Sequence, residues 1–438
     1  MYNNLATIKT KGSENNMDST IKTNEISQAS QVFTFMVATV IVLDVYTMPL
    51  LRFLSWGEFI FICMTPYFWL KTGGFRYVKG SLLWVFLFCI YGLFCSIIAS
   101  FVIDGSARDI AVRLIREAFY YIIIFGYGLV LFDFKYFKRI ASKIVLLLAL
   151  FVIAQSVVYL LSGYLIPGLI PNVEINDGGI TGQQMYQIIL KNAGYMGYIK
   201  PNGFLCEPAH CAHCFFVYLL LILFEEDTYT REQQIIRAGI VSLAMVATMS
   251  TSAFIELAVA WIAWLIVGKR KGVLQVIIVV AAIFIAYIVV FRRADTSFSA
   301  VFERFTRMFT TSQTVVYSGN LRVLKGFNVF RSLPFIYKFF GIGFGAYNAA
   351  VSAGIIHLQG FDLYNEYMNS ISYILVSSGL IGFTLYIGYF ISIFSSRSLT
   401  GKLLILGGFI MALGSGIYCT SIYIWILLLI RHSEKVSI

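Results

Sequence analysis

The sequence contains few charged residues, few prolines and few histidines. Only 13% of the 438 residues are Asp, Glu, Lys or Arg, and there are seven prolines and four histidines. Soluble domains carry about 25% charged residues. Because the mean hydropathy is also +0.80, a soluble globular protein is excluded.

Apolar runs long enough to cross a bilayer recur along most of the chain. Because the backbone must satisfy its own hydrogen bonds inside a membrane, such continuous runs predict α-helices. We therefore predict an all-α polytopic membrane protein with about 11–12 transmembrane helices. The predicted spans lie near 32–51, 57–71, 81–103, 118–133, 142–166, 209–224, 236–251, 253–268, 273–291, 371–394 and 403–430.

The connections between the runs predict how the bundle is oriented. Residues 1–31 are polar and lack the apolar core of a signal peptide, so we expect a cytoplasmic tail. The short basic connections at 71–80, 134–139, 268–272 and 395–402 are typical of cytoplasmic loops. The bundle then covers 32–430 and is followed by a short polar tail, 431–438.

Two long segments, 167–206 and 292–370, fall by alternation on the extracytoplasmic side, and we expect the second to be partly helical. Long loops on a helical scaffold often carry function. The run 403–430 is interrupted by "GSG" at 414–416, so it is either one tilted helix or two short ones. The side on which the C-terminus lies stays open for that reason.

Acidic residues are scarce in the second long loop. From 292 to 347 it has only Asp295 and Glu303, which indicates either an anionic ligand or solvated helix faces. The net charge of +11 is largely explained by basic cytoplasmic loops, so it predicts no nucleic-acid partner. The basic residues of this loop are Arg292, Arg293, Arg304, Arg307, Arg322, Lys325, Arg331 and Lys338.

The stretch "NGFLCEPAHCAHCFF" (202–216) concentrates cysteine and histidine in a way that resembles a metal site. Pro208 favours the first turn of a helix, and helical spacing then places His210 and Cys214 on one face. Cys211 points about 100° away from His210. Zinc sites need a second ligand cluster, and the remaining histidines are distant in sequence, so we predict no metal.

Glu207 immediately precedes Pro208, where a long outer loop meets a membrane helix. Its carboxylate either caps the helix N-terminus or serves as a partly desolvated general base. Asp44 and Glu256 also fall within or near apolar spans, where acids are candidates for function. They lie outside the motifs described next, so they are left out of the predicted site.

Three segments together resemble the O-antigen polymerase and O-antigen ligase superfamily. The segment "KPNGFLCEPAH" (200–210) is similar to the family's Phe-x-x-Glu-Pro turn, which follows a basic residue. The segment 318–348 resembles the second outer loop, with an Arg, an amphipathic helix, a Pro and "GIGFG". The segment 364–382 is similar to the family's His-Asn segment, but Tyr364 stands where many relatives have His. They occur in family order and cover 200–382.

The resemblance to the polymerase branch implies a metal-independent membrane glycosyltransferase that needs no cofactor. Such enzymes join oligosaccharide repeat units carried on undecaprenyl diphosphate into surface polysaccharide. The implied location is the bacterial plasma (inner) membrane, with the N-terminus in the cytoplasm and the active site facing the periplasm or cell exterior. The implied partners are lipid-linked oligosaccharides and membrane lipid, with a chain-length regulator and a flippase as further candidates.

The resemblance also implies a set of site residues. Arg322 is the first choice for stabilising the leaving diphosphate, because Arg suits bidentate phosphate contacts. Glu207 is the candidate base for the acceptor hydroxyl, or else it organises the cationic cluster. "GIGFG" (341–345) lacks the Lys-Ser/Thr of a P-loop, so we predict a tight loop that re-enters the membrane cavity. The substrate-binding candidates are Lys200, Lys325, Arg331, His210, His357, Tyr364 and Asn365.

Other interpretations of these candidates stay open. Lys325 and Arg331 also fit an interfacial helix that extends its charges to water, and Tyr364 fits an interfacial anchor. Whether His357 substitutes for the missing family histidine stays open. The alternative functions are an O-antigen ligase that transfers finished glycan to an acceptor, a lipid-linked oligosaccharide flippase or transporter, and a non-catalytic partner of an export complex.

Overall fold

The computed structural model describes residues 27–73, 80–176, 179–196, 198–225, 230–267, 321–357 and 368–433. The predicted span 273–291, most of the basic part of the second long loop, and Tyr364 and Asn365 lie outside these ranges. Within them the chain is mostly helical, as predicted. The described helices are Ser27–Leu43 (α1), Trp56–Thr72 (α2), Leu82–Val102 (α3), Ala107–Leu131 (α4), Phe134–Ser162 (α5), Gly182–Met196 (α6), Pro208–Phe224 (α7), Arg231–Ala247 (α8), Thr251–Val267 (α9), Gly326–Ser332 (α10), Phe335–Phe340 (α11), Tyr347–Ser352 (α12), Ser370–Phe394 (α13), Leu399–Gly414 (α14) and Ser421–His432 (α15).

Four of the described helices, α3, α4, α5 and α13, are long and apolar enough to cross a membrane. Five shorter apolar helices, α1, α7, α9, α14 and α15, accompany them. The faces of α3 and α5 that lie outside the bundle expose large apolar side chains. Such faces are unfavourable in water and suit lipid, and so the described part of the chain has the properties of a membrane protein.

Helix α4 differs from the predicted span 118–133 because it begins eleven residues earlier. Its first part, Ala107–Ala118, is amphipathic and carries three arginines, and its middle, Phe119–Phe125, is a π-helix. A π-helical turn often marks a functional site. The early start carries Arg113 and Arg116 into the bundle on the same helix as the apolar run.

The last apolar run forms two helices. Helix α14 ends at Gly414, and Ser415 is extended, with φ −151° and ψ 157°. Helix α15 begins at Ser421. The Ser398 N–H, just before α14, donates to the carbonyl of Ser433, just after α15. The two helices are therefore antiparallel, and the described chain ends beside the connection at 395–398.

A two-stranded antiparallel hairpin interrupts the helical pattern after α1. Its strands are Thr47–Met48 (β1) and Leu51–Ser55 (β2). The loop that follows α5 crosses this hairpin, because the Thr47 N–H donates to the Glu174 carbonyl and the Asn176 N–H donates to the Val45 carbonyl. The predicted span 32–51 thus ends as a helix at Leu43, and the first long loop, which contains α6, covers this end of the bundle.

The "GIGFG" segment is a buried loop between α11 and α12. The Ile342 and Gly343 N–H groups donate to the carbonyls of Val376 and Ser377 on α13, and the Phe344 N–H donates to Ser96 Oγ. These N–H groups are therefore used by protein acceptors and cannot cradle a phosphate. Gly379 interrupts α13 where the loop packs, with φ 64° and ψ −170°. Irregular backbone at this depth is tolerated because protein encloses it and pairs its polar groups.

Candidate functional site

A cavity of about 750 Å³ opens at the end of the bundle where α1 ends and α2 begins. We call it the central cavity. The starts of α7, α13 and α15, the end of α14 and one side of α4 also contribute to it. Its polar and ionisable lining residues are Asp44, Glu58, Arg113, Arg116, Tyr120, Asn176, Cys206, Glu207, His210, Cys214, Tyr373, Ser415, Tyr418, Cys419, Thr420 and Ser421.

Glu207 lies at the N-cap of α7 and lines the central cavity. Pro208 occupies the first helical turn, as the sequence predicts. The Glu207 side chain makes no capping hydrogen bond, but a carboxylate at this position still lies at the positive end of the helix dipole. Glu207 and His210 are both partly buried, and helical spacing brings His210 to the same wall.

Arg113 projects from α4 into the central cavity. Its guanidinium lies 4.7 Å from the centre of the Tyr373 ring and 5.5 Å from that of Tyr418. Its Nε is 3.8 Å from Glu117 Oε1, beyond hydrogen-bond distance, and both atoms are buried without a hydrogen-bond partner in the described chain. A guanidinium has five N–H donors in a fixed plane, and stacking on aromatic rings uses none of them.

Arg116 is one turn further along α4 and belongs to a network of polar groups. Its Nε is 3.2 Å from Glu58 Oε1, and its Nη2 donates to the Phe53 carbonyl at 3.1 Å. Glu58 and Ser55 form a capping box at the start of α2, and Ser55 Oγ donates to Asp44 Oδ1 at 2.6 Å. This network orients one wall of the cavity, whereas Arg113 stands outside it.

The structure places the predicted cationic residues away from this cavity where it describes them. Lys325 is fully buried, with its Nζ 5.7 Å from the centre of the Tyr347 ring, and it does not line the cavity. Lys200 does not line it either, and Arg331 and His357 are exposed elsewhere. For Arg322 only the backbone, in the π-helical turn Leu321–Lys325, is described.

Of the predicted site, the structure therefore brings Glu207 and His210 together in one cavity. The sequence reasoning missed Arg113 and Arg116, because it began the fourth span at 118 and left 107–117 in a connection. Their signal was available: "RLIREA" continues without a break into an apolar run, and charged residues inside a span are functional candidates.

The cysteine and histidine cluster divides into separate environments along α7. Cys214 lines the central cavity with His210, whereas Cys211 is buried and its thiol donates to the Asn202 carbonyl. His213 is fully buried and contacts Glu256 on α9. Among the described residues, no three His, Cys, Asp or Glu side chains are grouped to hold a metal ion.

Comparison with known proteins adds no assignment: no family model matches the sequence, and no curated protein matches it significantly.

Proposed function

We propose that the chain is a membrane glycosyltransferase that joins oligosaccharide repeat units carried on undecaprenyl diphosphate into a surface polysaccharide. The observation that carries the proposal is the state of Arg113. This arginine lies against two tyrosine rings in a cavity that also contains Glu207, and its Nε has no hydrogen-bond partner within the described chain. An arginine with available donors beside a carboxylate suits a reaction in which a phosphate leaves and a hydroxyl loses a proton.

The proposed topology has twelve spans. They are the nine apolar helices, together with α2, α8 and the apolar segment 273–291. With the basic connections 134–139, 268–272 and 395–402 in the cytoplasm, the central cavity opens on the opposite face. In a bacterial plasma (inner) membrane that face is the periplasm or the cell exterior, where lipid-linked repeat units are presented to a polymerase.

The proposed step is a displacement at the anomeric carbon of the lipid-linked donor. A hydroxyl oxygen of the acceptor sugar forms the new bond to that carbon, and the bond from the carbon to the diphosphate oxygen breaks. The lipid diphosphate leaves with the electron pair, while the hydroxyl proton passes to a base in the cavity, for which Glu207 is the first candidate. Developing charge on the leaving oxygen is met by Arg113 in place of the Arg322 of the sequence hypothesis, because donors preorganised toward that charge lower the barrier.

The cavity also fits the sugar part of such a substrate. Its wall combines carboxylates, arginines and tyrosine hydroxyls, which can pair with sugar hydroxyl groups in both directions. The Tyr373 and Tyr418 rings supply apolar area beside Arg113. Cavities of about 300–1,000 Å³ bury most of a small ligand, and the volume of about 750 Å³ falls within that range.

Deletion of the gene, with electrophoresis of the surface glycan, tests the proposal. A polymerase mutant retains single repeat units on the acceptor and lacks the longer ladder. Loss of all glycan from the acceptor would indicate a ligase, and loss of lipid-linked units from the outer face would indicate a flippase. A ladder of unchanged length would contradict the polymerase proposal.

A further inference from the structure

Ser415 is the residue at which the central cavity meets the buried interior of the bundle. It follows α14 directly and lines the cavity, with only 5% of its surface exposed. Its backbone is held in place, because its carbonyl accepts from both the N–H and the hydroxyl of Ser370, at 3.1 and 3.0 Å. These bonds fix the Ser415 backbone against the start of α13.

Behind Ser415, away from the cavity, lies a histidine paired with a carboxylate. His213 Nε2 is 3.0 Å from Ser415 Oγ, and His213 Nδ1 is 2.6 Å from Glu256 Oε1. His213 and Glu256 are 0% and 1% exposed. Helices α7 and α9 and the residue that follows α14 thus bring together a hydroxyl, an imidazole and a carboxylate in a line that begins at the cavity.

The carboxylate determines which imidazole nitrogen carries the proton. An ionised carboxylate only accepts hydrogen bonds, so with Glu256 ionised the Nδ1–H of His213 donates to it. In the neutral imidazole Nε2 is then an acceptor, and the Ser415 hydroxyl donates to it. In the described chain Ser415 Oγ has no other partner. A hydroxyl that already donates to a base can accept a second proton from a ligand in the cavity.

We propose that Ser415, His213 and Glu256 form a proton relay that takes the proton from a ligand hydroxyl bound in the central cavity. The ligand hydroxyl gives its proton to Ser415 Oγ, and Ser415 gives its own proton to His213 Nε2. The imidazolium that forms lies against the Glu256 carboxylate, which offsets its charge. The ligand oxygen is left with an electron pair for bond formation.

The burial of His213 is the reason to assign a relay and not a covalent nucleophile. A catalytic histidine that serves a nucleophilic serine must also return its proton to the leaving group. His213 does not line the cavity, so of the three residues only Ser415 is within reach of a leaving group there. Ser415 is thus the catalytic residue of this relay, and His213 and Glu256 are residues that act through it.

This inference rests on the proposed function, because it names the acceptor hydroxyl of the lipid-linked glycan as the source of the proton. Glu207 then takes the second of its two predicted roles, which is to organise the cationic residues of the cavity. If Glu207 is the base, Glu207→Gln removes the proton acceptor. If the relay is the base, His213→Gln removes it.

The decisive variant is His213→Gln. A glutamine side chain has both a donor for Glu256 and an acceptor for Ser415, but it has no basic nitrogen. We expect His213→Gln and Ser415→Ala to lower the rate of chain extension at least about 100-fold, since general base catalysis contributes roughly 10²- to 10⁴-fold. Ser415→Thr, which keeps the hydroxyl, should retain most of the rate. Extension at the wild-type rate by His213→Gln would overturn the relay.

Two matched controls separate the relay from a packing effect. Ser378→Ala removes a buried hydroxyl that only donates to the Ile374 carbonyl, and His432→Gln changes a histidine that contacts the Leu428 carbonyl near the end of the chain. Both should extend glycan at the wild-type rate. Each variant is purified, and its thermal unfolding in detergent is compared with that of the wild type, so that loss of folding is recognised.

A second measurement does not depend on glycan synthesis. Nitrogen-15 NMR of histidine-labelled protein, with the His213 signals assigned by their loss in His213→Gln, should show Nδ1 protonated and Nε2 unprotonated at neutral pH. Protonation of both nitrogens, or of Nε2 alone, would overturn the relay, as would covalent labelling of Ser415 by a fluorophosphonate. If purified wild-type protein joins no repeat units, the proposed function fails, while the spectrum still decides the direction of these bonds.

Discussion

The substitution Arg113→Lys tests the group on which the proposed function depends most. Lysine keeps the positive charge near Glu117, so it leaves no uncompensated buried carboxylate. It removes the planar guanidinium that lies against the Tyr373 and Tyr418 rings and that can bind two phosphate oxygens at once. The change therefore separates the geometry of the donor from its charge.

The expected magnitude follows from what the lysine loses. One charge-assisted hydrogen bond contributes about 1.5–3 kcal/mol, and stacking of the cation on a ring contributes about 0.5–1 kcal/mol. The loss of both amounts to about 2–4 kcal/mol of transition-state stabilisation, which is a decrease of roughly 30- to 1,000-fold in rate. The protein level should stay near that of the wild type because the ion pair with Glu117 is retained.

The assay is chain extension of lipid-linked repeat units by purified protein, with products resolved by gel electrophoresis. Arg108→Lys is the matched control, since Arg108 is exposed near the start of the same helix and undergoes the same chemical change. It should extend glycan within about twofold of the wild-type rate, as surface substitutions usually have small effects. Extension by Arg113→Lys at the wild-type rate would remove this residue from the mechanism.

Three further predictions concern the cavity wall and the fold. Glu207→Gln should abolish chain extension at unchanged protein level, because it removes the charge that organises the cavity. Glu207→Asp keeps the charge and should retain part of the activity. Equal ladders from the two variants would contradict the role of the Glu207 charge. Gly341→Ala should lower the melting temperature in detergent, because the added Cβ would clash with the Ser377 carbonyl oxygen. Gly341 also has a φ of +82°, and a positive φ costs a residue with a side chain about 1–3 kcal/mol. Gly194→Ala, whose Cβ would have no atom within 4 Å, should not lower the melting temperature. Asn369→Ala should cost about 1–2 kcal/mol in unfolding free energy, because Asn369 caps α13 by accepting from the Ser372 N–H. Asn369→Asp keeps that acceptor and should lose less. An equal loss in both variants would attribute the effect to the bond from Nδ2 to the Val323 carbonyl.

Hydropathy alone was sufficient to predict that this chain is a helical membrane protein. Burial in lipid requires long apolar runs with internal hydrogen bonding, and such runs are visible residue by residue. The first turn of α7 was predictable for a similarly local reason, because Pro208 suits that position. Glu207 and His210, which lie on either side of that turn, were both among the predicted site residues.

Only the tertiary structure decided which residues meet at the cavity and directly behind it. Arg113 and Glu207 are 94 positions apart, and His213 contacts Glu256 and Ser415 across 43 and 202 positions. Sequence spacing describes neighbours on one helix, whereas these contacts depend on which helices pack together and at what depth. The same limit explains why Lys325 was placed in the site, although the structure buries it beside Tyr347. Local chemistry determined the class of protein and one wall of the cavity, and helix packing determined the rest.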